Sequence, residues 1–168
     1  MLAVLAAVQL LLLALRLTRP ENLPLAWLQA GDTLSGLTVE RSEGRNTPLL
    51  LGKPMVVLVF GSECPHCLEV APLWRSWIET NGSDWEVLAV SSEPFEAAWA
   101  FVDGQDWRVD VGVMEAGSTV GSASALTVRA PWVFVANGAG VILAEGHGSR
   151  ITELTAGART DPVEGGKP

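Results

Sequence analysis

The stretch Pro54-Met55-Val56-Val57-Leu58-Val59-Phe60-Gly61-Ser62-Glu63-Cys64-Pro65-His66-Cys67 decides how the rest of the chain is read, because the periodicity changes inside it. Residues 54–60 form a continuous β-favouring run with no polar alternation. Such a run needs cover on both faces, which predicts a central strand in a sheet packed between helices. Gly61-Ser62-Glu63 ends it. From Pro65 to about Thr80 the apolar positions take helical spacing: Val70, Leu73, Trp74, Trp77 and Ile78 fall at i, i+3, i+4, i+7 and i+8, one face of a helix. Pro65 sits in the first turn, where a missing N–H costs little. Pro72 lies inside the helix and predicts a kink.

Outward from this junction the chain alternates. Residues 85–90 read as a second buried strand, 94–103 as a helix with Phe95, Ala98, Trp99 and Val102 on one side, and 109–113 as a short strand. Residues 118–126 are weakly helical. Trp132-Val133-Phe134-Val135 reads as a strand, Asn137-Gly138-Ala139-Gly140 as a hairpin turn and Val141-Ile142-Leu143-Ala144 as its partner. A last helix begins near Ser149. Upstream, Leu37-Thr38-Val39-Glu40 suggests a short strand, and the polar residues 41–48 a turn. This order predicts an α/β domain over residues 37–156, a mixed central sheet with helices on both faces. Residues 18–36 read as a tether and leading loop, and residues 157–168 as a disordered tail.

Composition narrows the function. Of 168 residues, 48% are apolar and 18% charged, a globular balance. The net charge of −8 and the lack of any Lys/Arg cluster argue against nucleic-acid binding, which needs a basic footprint. Residues 1–17 are apolar all round with Gln9 as the strong exception until Arg16, long enough for about 25 Å of helix. No basic region precedes the run and no A-x-A site follows it, so it reads as a transmembrane anchor in preference to a cleaved signal peptide. Arg16 and Arg19 lie on the domain side, where the positive-inside rule alone would keep the domain in the cytoplasm. The reading of the cysteines below prefers the opposite side.

The chain has two cysteines, Cys64 and Cys67, two residues apart at a strand–helix junction. A helix N-terminus favours negative charge, and the thiolate is the form that attacks disulfides. The spacing predicts that Cys64 is the nucleophile and that Cys67, one turn on and more buried, resolves a mixed disulfide. His66 in the same turn can donate to the thiolate, while the Glu63 carboxylate opposes it. Other uses of the pair stand beside this one. A structural zinc site needs four ligands, and besides the cysteines only His66 and His147 are present. A structural disulfide here closes too short a loop to stabilise much. A Cu(I) site using Cys64, Cys67 and a distant histidine is chemically allowed. His147 reads foremost as a solvated loop residue.

Cys64-Pro65-His66-Cys67-Leu68-Glu69-Val70-Ala71-Pro72 resembles the active-site helix of the thioredoxin superfamily, including a proline five residues after the second cysteine. Gly52-Lys53-Pro54 and the run that follows resemble the strand opening this site in the TlpA/ResA-like and redoxin branch. Ala130-Pro131-Trp132-Val133-Phe134-Val135 resembles the segment at that family's cis-proline, and Gly146 or Gly148 fits the glycine before the last helix. The resemblance covers about residues 31–155. It implies a thioredoxin fold behind one N-terminal transmembrane helix. It also implies a cis Pro131 packed against the cysteines and an Ala130 backbone edge for an extended substrate, with Trp132 as a wall of the groove. The Pro-His dipeptide is similar to the oxidising DsbA type, and anchor plus redoxin-like domain resembles MauD of methylamine utilisation. The family's buried carboxylate six residues before the first cysteine is Leu58 here, with Glu69 as a candidate substitute.

Together these predict a membrane-anchored enzyme, with Cys64, Pro65, His66 and Cys67 as catalytic residues and Ala130, Pro131 and Trp132 as substrate-binding residues. It would need no cofactor. It would oxidise, reduce or isomerise disulfides of protein substrates on the extracytoplasmic side, in cytochrome c biogenesis or enzyme maturation, beside a membrane-bound redox partner. A copper chaperone on the same fold is the alternative. A peroxiredoxin ranks last, because Gly61-Ser62-Glu63 lacks the Thr/Pro that precedes a peroxidatic cysteine.

Overall fold

The computed structural model describes residues 27–34, 38–40, 46–48, 52–114 and 126–160. Within them, strand β3 (Met55–Val59) is the apolar run, and all five of its residues are buried. Its side chains alternate between two apolar clusters. Val56, Leu58 and then Phe60 enter one; Met55, Val57 and Val59 enter the other. Burial on both faces is what the missing polar alternation demands.

Helix α1 (Pro65–Asn81) follows, then a single 3-10 turn (Gly82–Asp84) and β4 (Glu86–Ser91). Helix α2 (Phe95–Gly104) leads to β5 (Asp110–Val113). Strands β6 (Trp132–Ala136) and β7 (Ile142–His147) form the hairpin, and a 3-10 turn (Gly148–Arg150) opens α3 (Ile151–Thr160). Two short strands precede β3, β1 (Thr38–Glu40) and β2 (Asn46–Pro48). Among the described residues, seven strands make one sheet in the order β2-β1-β5-β4-β3-β6-β7. The β3–β4 and β4–β5 pairs are parallel; β6 runs antiparallel to β3 and to β7.

Several expectations change. Residues 41–48 were predicted as a turn, but their end pairs as β2 with β1, Thr38 opposite Pro48. Leu73 was predicted on the buried face of α1, yet it is 38% exposed; Cys67 and Ala71 are buried beside Val70, Trp74, Trp77 and Ile78. The packed stripe is thus rotated toward Ala71, whose small side chain admits close neighbours. On α2, Phe101 takes the buried place expected for Trp99, which is 48% exposed. Part of the segment read as tether belongs to the fold: Leu28 and Leu34 are buried, and Gly31 N–H and Leu34 N–H donate to the carbonyls of Ile142 and Gly140 at 2.8 and 2.7 Å. The final helix runs to Thr160, into the stretch read as a tail.

Helices α1, α2 and α3 all contribute to the same apolar cluster, on the face of Val56 and Leu58. Of the 118–126 stretch, the helix expected on the other face, only Leu126 is described, and it is buried in the second cluster. No helix among the described residues is long and apolar enough to cross a membrane. The anchor expected at residues 1–17 lies outside the described residues.

Candidate active site

Sheet register brings the site together. Val59, last in β3, lies beside Val90 of parallel β4 and opposite Trp132, first in antiparallel β6. The chain leaving β3, the chain leaving β4 and the chain entering β6 therefore meet at one edge of the sheet. That edge is where open α/β sheets place their ligands.

Cys64 occupies the N-cap of α1 in an extended conformation (φ −80°, ψ 114°), and Pro65 opens the helix. Its carbonyl accepts from Cys67 N–H at 3.0 Å and Leu68 N–H at 3.2 Å, which folds the tetrapeptide into the first turn. Both cysteines are free thiols; Cys64 is partly exposed and Cys67 is buried. Burial pushes the Cys67 thiol up to about 12. The hydrogen bond with Cys64 and the charges of Cys64 and Glu93 add to this, and the Gly61 backbone N–H, 3.5 Å from the Cys67 sulfur, works against it. The partly exposed sulfur is placed to meet a substrate first, and the buried one keeps its proton at neutral pH.

The Ala130-Pro131 peptide bond is cis. The Cys64 sulfur lies 3.9 Å from the Ala130 carbonyl oxygen, so this loop faces the pair. Pro131 is buried while Ala130 is exposed. Gly148 N–H donates to the Pro131 carbonyl at 3.1 Å, and Gly148 O accepts from Trp74 Nε1 at 2.8 Å. A Cβ at Gly148 would sit 2.6 Å from the Trp74 ring and 3.0 Å from Pro131, so only glycine fits where α1, the end of β7 and the proline loop converge. Of the two glycines proposed for this place, Gly148 is the one in it. Trp132 is half-buried, and its Nε1 donates to Glu145 at 2.6 Å.

The His66 ring turns toward Glu69, with Nδ1 3.1 Å from the carboxylate and both side chains about 70% exposed (72% and 71%). This engages Glu69 at the surface, so it does not replace the carboxylate missing at Leu58. Leu58 itself is fully buried in the core. The carboxylate that approaches the pair is Glu93, on the loop after β4. Its oxygens accept from Ser62 N–H at 2.8 and 3.1 Å, and Ser91 Oγ lies 3.3 Å away. A Cβ on Gly61 would lie 3.5 Å from Cys64 Cβ and 3.7 Å from Glu93 Oε1, which places the carboxylate at the cysteine turn. Sequence reading missed Glu93. Its signal was position: Ser91-Ser92-Glu93-Pro94 follows a buried parallel strand at its C-terminal end. Among the described residues, no group of three or more His, Cys, Asp or Glu is gathered to hold a metal ion.

No protein-family model matches the chain, and no curated protein does. Solved structures do. The thioredoxin domain of a thiol-disulfide oxidoreductase from Bacteroides vulgatus matches with a TM-score of 0.63 at 16% identity, over 80% of this chain and 99% of that one. A peroxidoxin, BcpB, from Mycobacterium tuberculosis matches with a TM-score of 0.62 at 15% identity, over 80% and 99%. A thiol-disulfide oxidoreductase from Bacteroides fragilis matches with a TM-score of 0.56 at 16% identity, over 73% and 99%. The chain has the thioredoxin fold.

Proposed function

We propose that this chain is a protein thiol–disulfide oxidoreductase that cycles Cys64 and Cys67 between dithiol and disulfide. The observation that carries this reading is the placing of a partly exposed Cys64 at the α1 N-terminus, over a buried Cys67 and against the Ala130 carbonyl beside cis Pro131. In the reducing direction the Cys64 thiolate attacks one sulfur of a substrate disulfide. A mixed disulfide forms and the first substrate thiolate leaves. Cys67 then loses its proton and attacks the Cys64 sulfur, which forms the Cys64–Cys67 disulfide and releases the second substrate thiolate. Two electrons pass to the substrate, and two protons balance its thiols. Run backwards, the same steps oxidise a substrate dithiol. The burial that keeps Cys67 protonated means that the second step must include removal of that proton.

The finer reading is that residues 1–17 anchor the domain to a membrane on the extracytoplasmic side, beside a membrane-bound redox partner. There it serves an apocytochrome c or a maturing enzyme. The apolar run supports this, since about 17 such residues come near the length of a membrane-spanning helix. The exposed Ala130 edge offers main-chain groups to an extended substrate segment. The test is capture with Cys67→Ala. This variant should accumulate mixed disulfides through Cys64 that dithiothreitol releases. If it captures no partner while wild type exchanges normally, the division of roles between the two cysteines is wrong.

A further inference from the structure

Beside the proposed substrate edge stands a cation whose charge the exchange chemistry does not use. Arg129 immediately precedes Ala130 and Pro131. Its guanidinium carbon lies 4.2 Å from the centre of the Trp27 ring and 4.8 Å from that of Trp132. Both walls are tied to the fold. Trp132 is held through Nε1 to Glu145 at 2.6 Å, and Trp27 precedes the buried Leu28, in the segment bonded to Ile142 and Gly140. Arg75, Arg150 and Arg159 each lie within 3.0 Å of a carboxylate. Arg129 has no such pair among the described residues.

A cation–π contact does not neutralise the guanidinium, and its fork of N–H donors suits a carboxylate in a way that the lysine ammonium does not. We infer that Arg129, held over the rings of Trp27 and Trp132 beside the Ala130 edge, selects polypeptide substrates that carry an acidic side chain close to the reacting cysteine. This rests on the exchange activity proposed above and deepens it. The nearness follows from chain geometry. Arg129 adjoins the residue whose carbonyl lies 3.9 Å from the Cys64 sulfur, and one or two residues of extended chain span at most about 7 Å. The carboxylate would thus sit within about two positions of the substrate cysteine. The chain as a whole carries −8, so the selection is local and not a product of net charge.

The test uses peptide disulfides identical except for Asp, Asn or Lys two positions from the cysteine, with exchange rates compared on the full chain and on Arg129→Gln and Arg129→Lys. Wild type should prefer Asp to Asn by roughly fivefold, the upper range for a partly exposed ion pair, and disfavour Lys. The Asp-to-Asn ratio should fall to about one in Arg129→Gln. Arg129→Lys should keep part of it, which a purely structural loss would not. Equal rates on Asp, Asn and Lys peptides in wild type overturn the inference while leaving the exchange reading intact, and need no variant to fold. So does an Asp preference that survives in Arg129→Gln. If oxidised glutathione but no peptide shows the dependence on Arg129, the carboxylate recognised is that of a small thiol and the polypeptide proposal is overturned. Failure to exchange with any disulfide removes the proposed function, and this inference with it.

Discussion

At the end of the sheet where β3 and β4 finish, a buried thiol, a partly exposed thiol, a cis proline and a carboxylate crowd into a space that leaves no room for a Cβ on Gly148. At the end where β4 and β5 begin, an open hollow of about 1050 Å3 lies among Trp85, Trp99, Trp107, Arg75 and Asp106. It nevertheless holds no cysteine and no histidine, and the indole N–H groups of Trp85 and Trp107 are buried without a partner. One of its cations, Arg75, pairs with Glu79 and Asp106 across the surface. Volume alone does not mark the chemistry of this fold. The marker is convergence: reactive groups from separate elements brought by sheet register to one point.

The contrast is broken most directly at Cys64. Cys64→Ser should cut disulfide exchange by roughly three orders of magnitude or more, since a hydroxyl does not supply the thiolate the reaction needs. An insulin or peptide-disulfide assay reads this, and a variant retaining near-wild-type exchange would move the chemistry elsewhere. Gly148→Ala tests the crowding itself. A methyl 2.6 Å from a fully buried tryptophan should destabilise the fold by about 1–3 kcal/mol in urea unfolding, and a neutral result would mean the corner is looser than it looks.

The buried thiol sharpens the contrast through pH. Cys67 is held protonated in the fold, up to about 12, whereas an unfolded thiol ionises near 8.5. Below about 8.5 both states keep the proton and the group contributes nothing to pH dependence. Above it the unfolded state binds fewer protons, so the reduced protein should lose stability relative to the oxidised one, whose sulfurs do not titrate. Unfolding of both forms between pH 7 and 10 measures this, and parallel curves would contradict it. Removing the Glu93 charge with Glu93→Gln should lower the Cys67 value and lessen the loss. The smallest effect belongs to the far end: Trp99→Ala, in the hollow, should change exchange rates by less than about twofold, the ordinary result for a surface change away from a site.

What was legible in the sequence followed from local pattern. The run ending at Phe60, the helix from Pro65 and the hairpin turn at Asn137-Gly138 each carry their own periodicity or turn chemistry, and all three form as read. Cys64 and Cys67, read from their spacing, and Pro131, read by resemblance, are brought to one edge. What was missed depends on partners distant in the chain. Asn46–Pro48 looks like a turn and becomes a strand only because β1 pairs with it. Glu93 looks like an ordinary acid beside a proline, and its meaning comes from Ser62, 31 residues away. Helical spacing put Leu73 and Trp99 inside, but it does not fix the angle of the packed stripe. In α1 that angle is set by Trp74, whose indole bonds to Gly148.

The central claim is tested by equilibrating the purified chain with graded ratios of reduced to oxidised dithiothreitol or glutathione and counting free thiols. The expected result is one reversible two-electron transition in which Cys64 and Cys67 appear and disappear together. A midpoint near about −120 mV would mark an oxidant and one near about −270 mV a reductant. Two free thiols at every ratio, or a bond that once formed is never lost, would contradict the account.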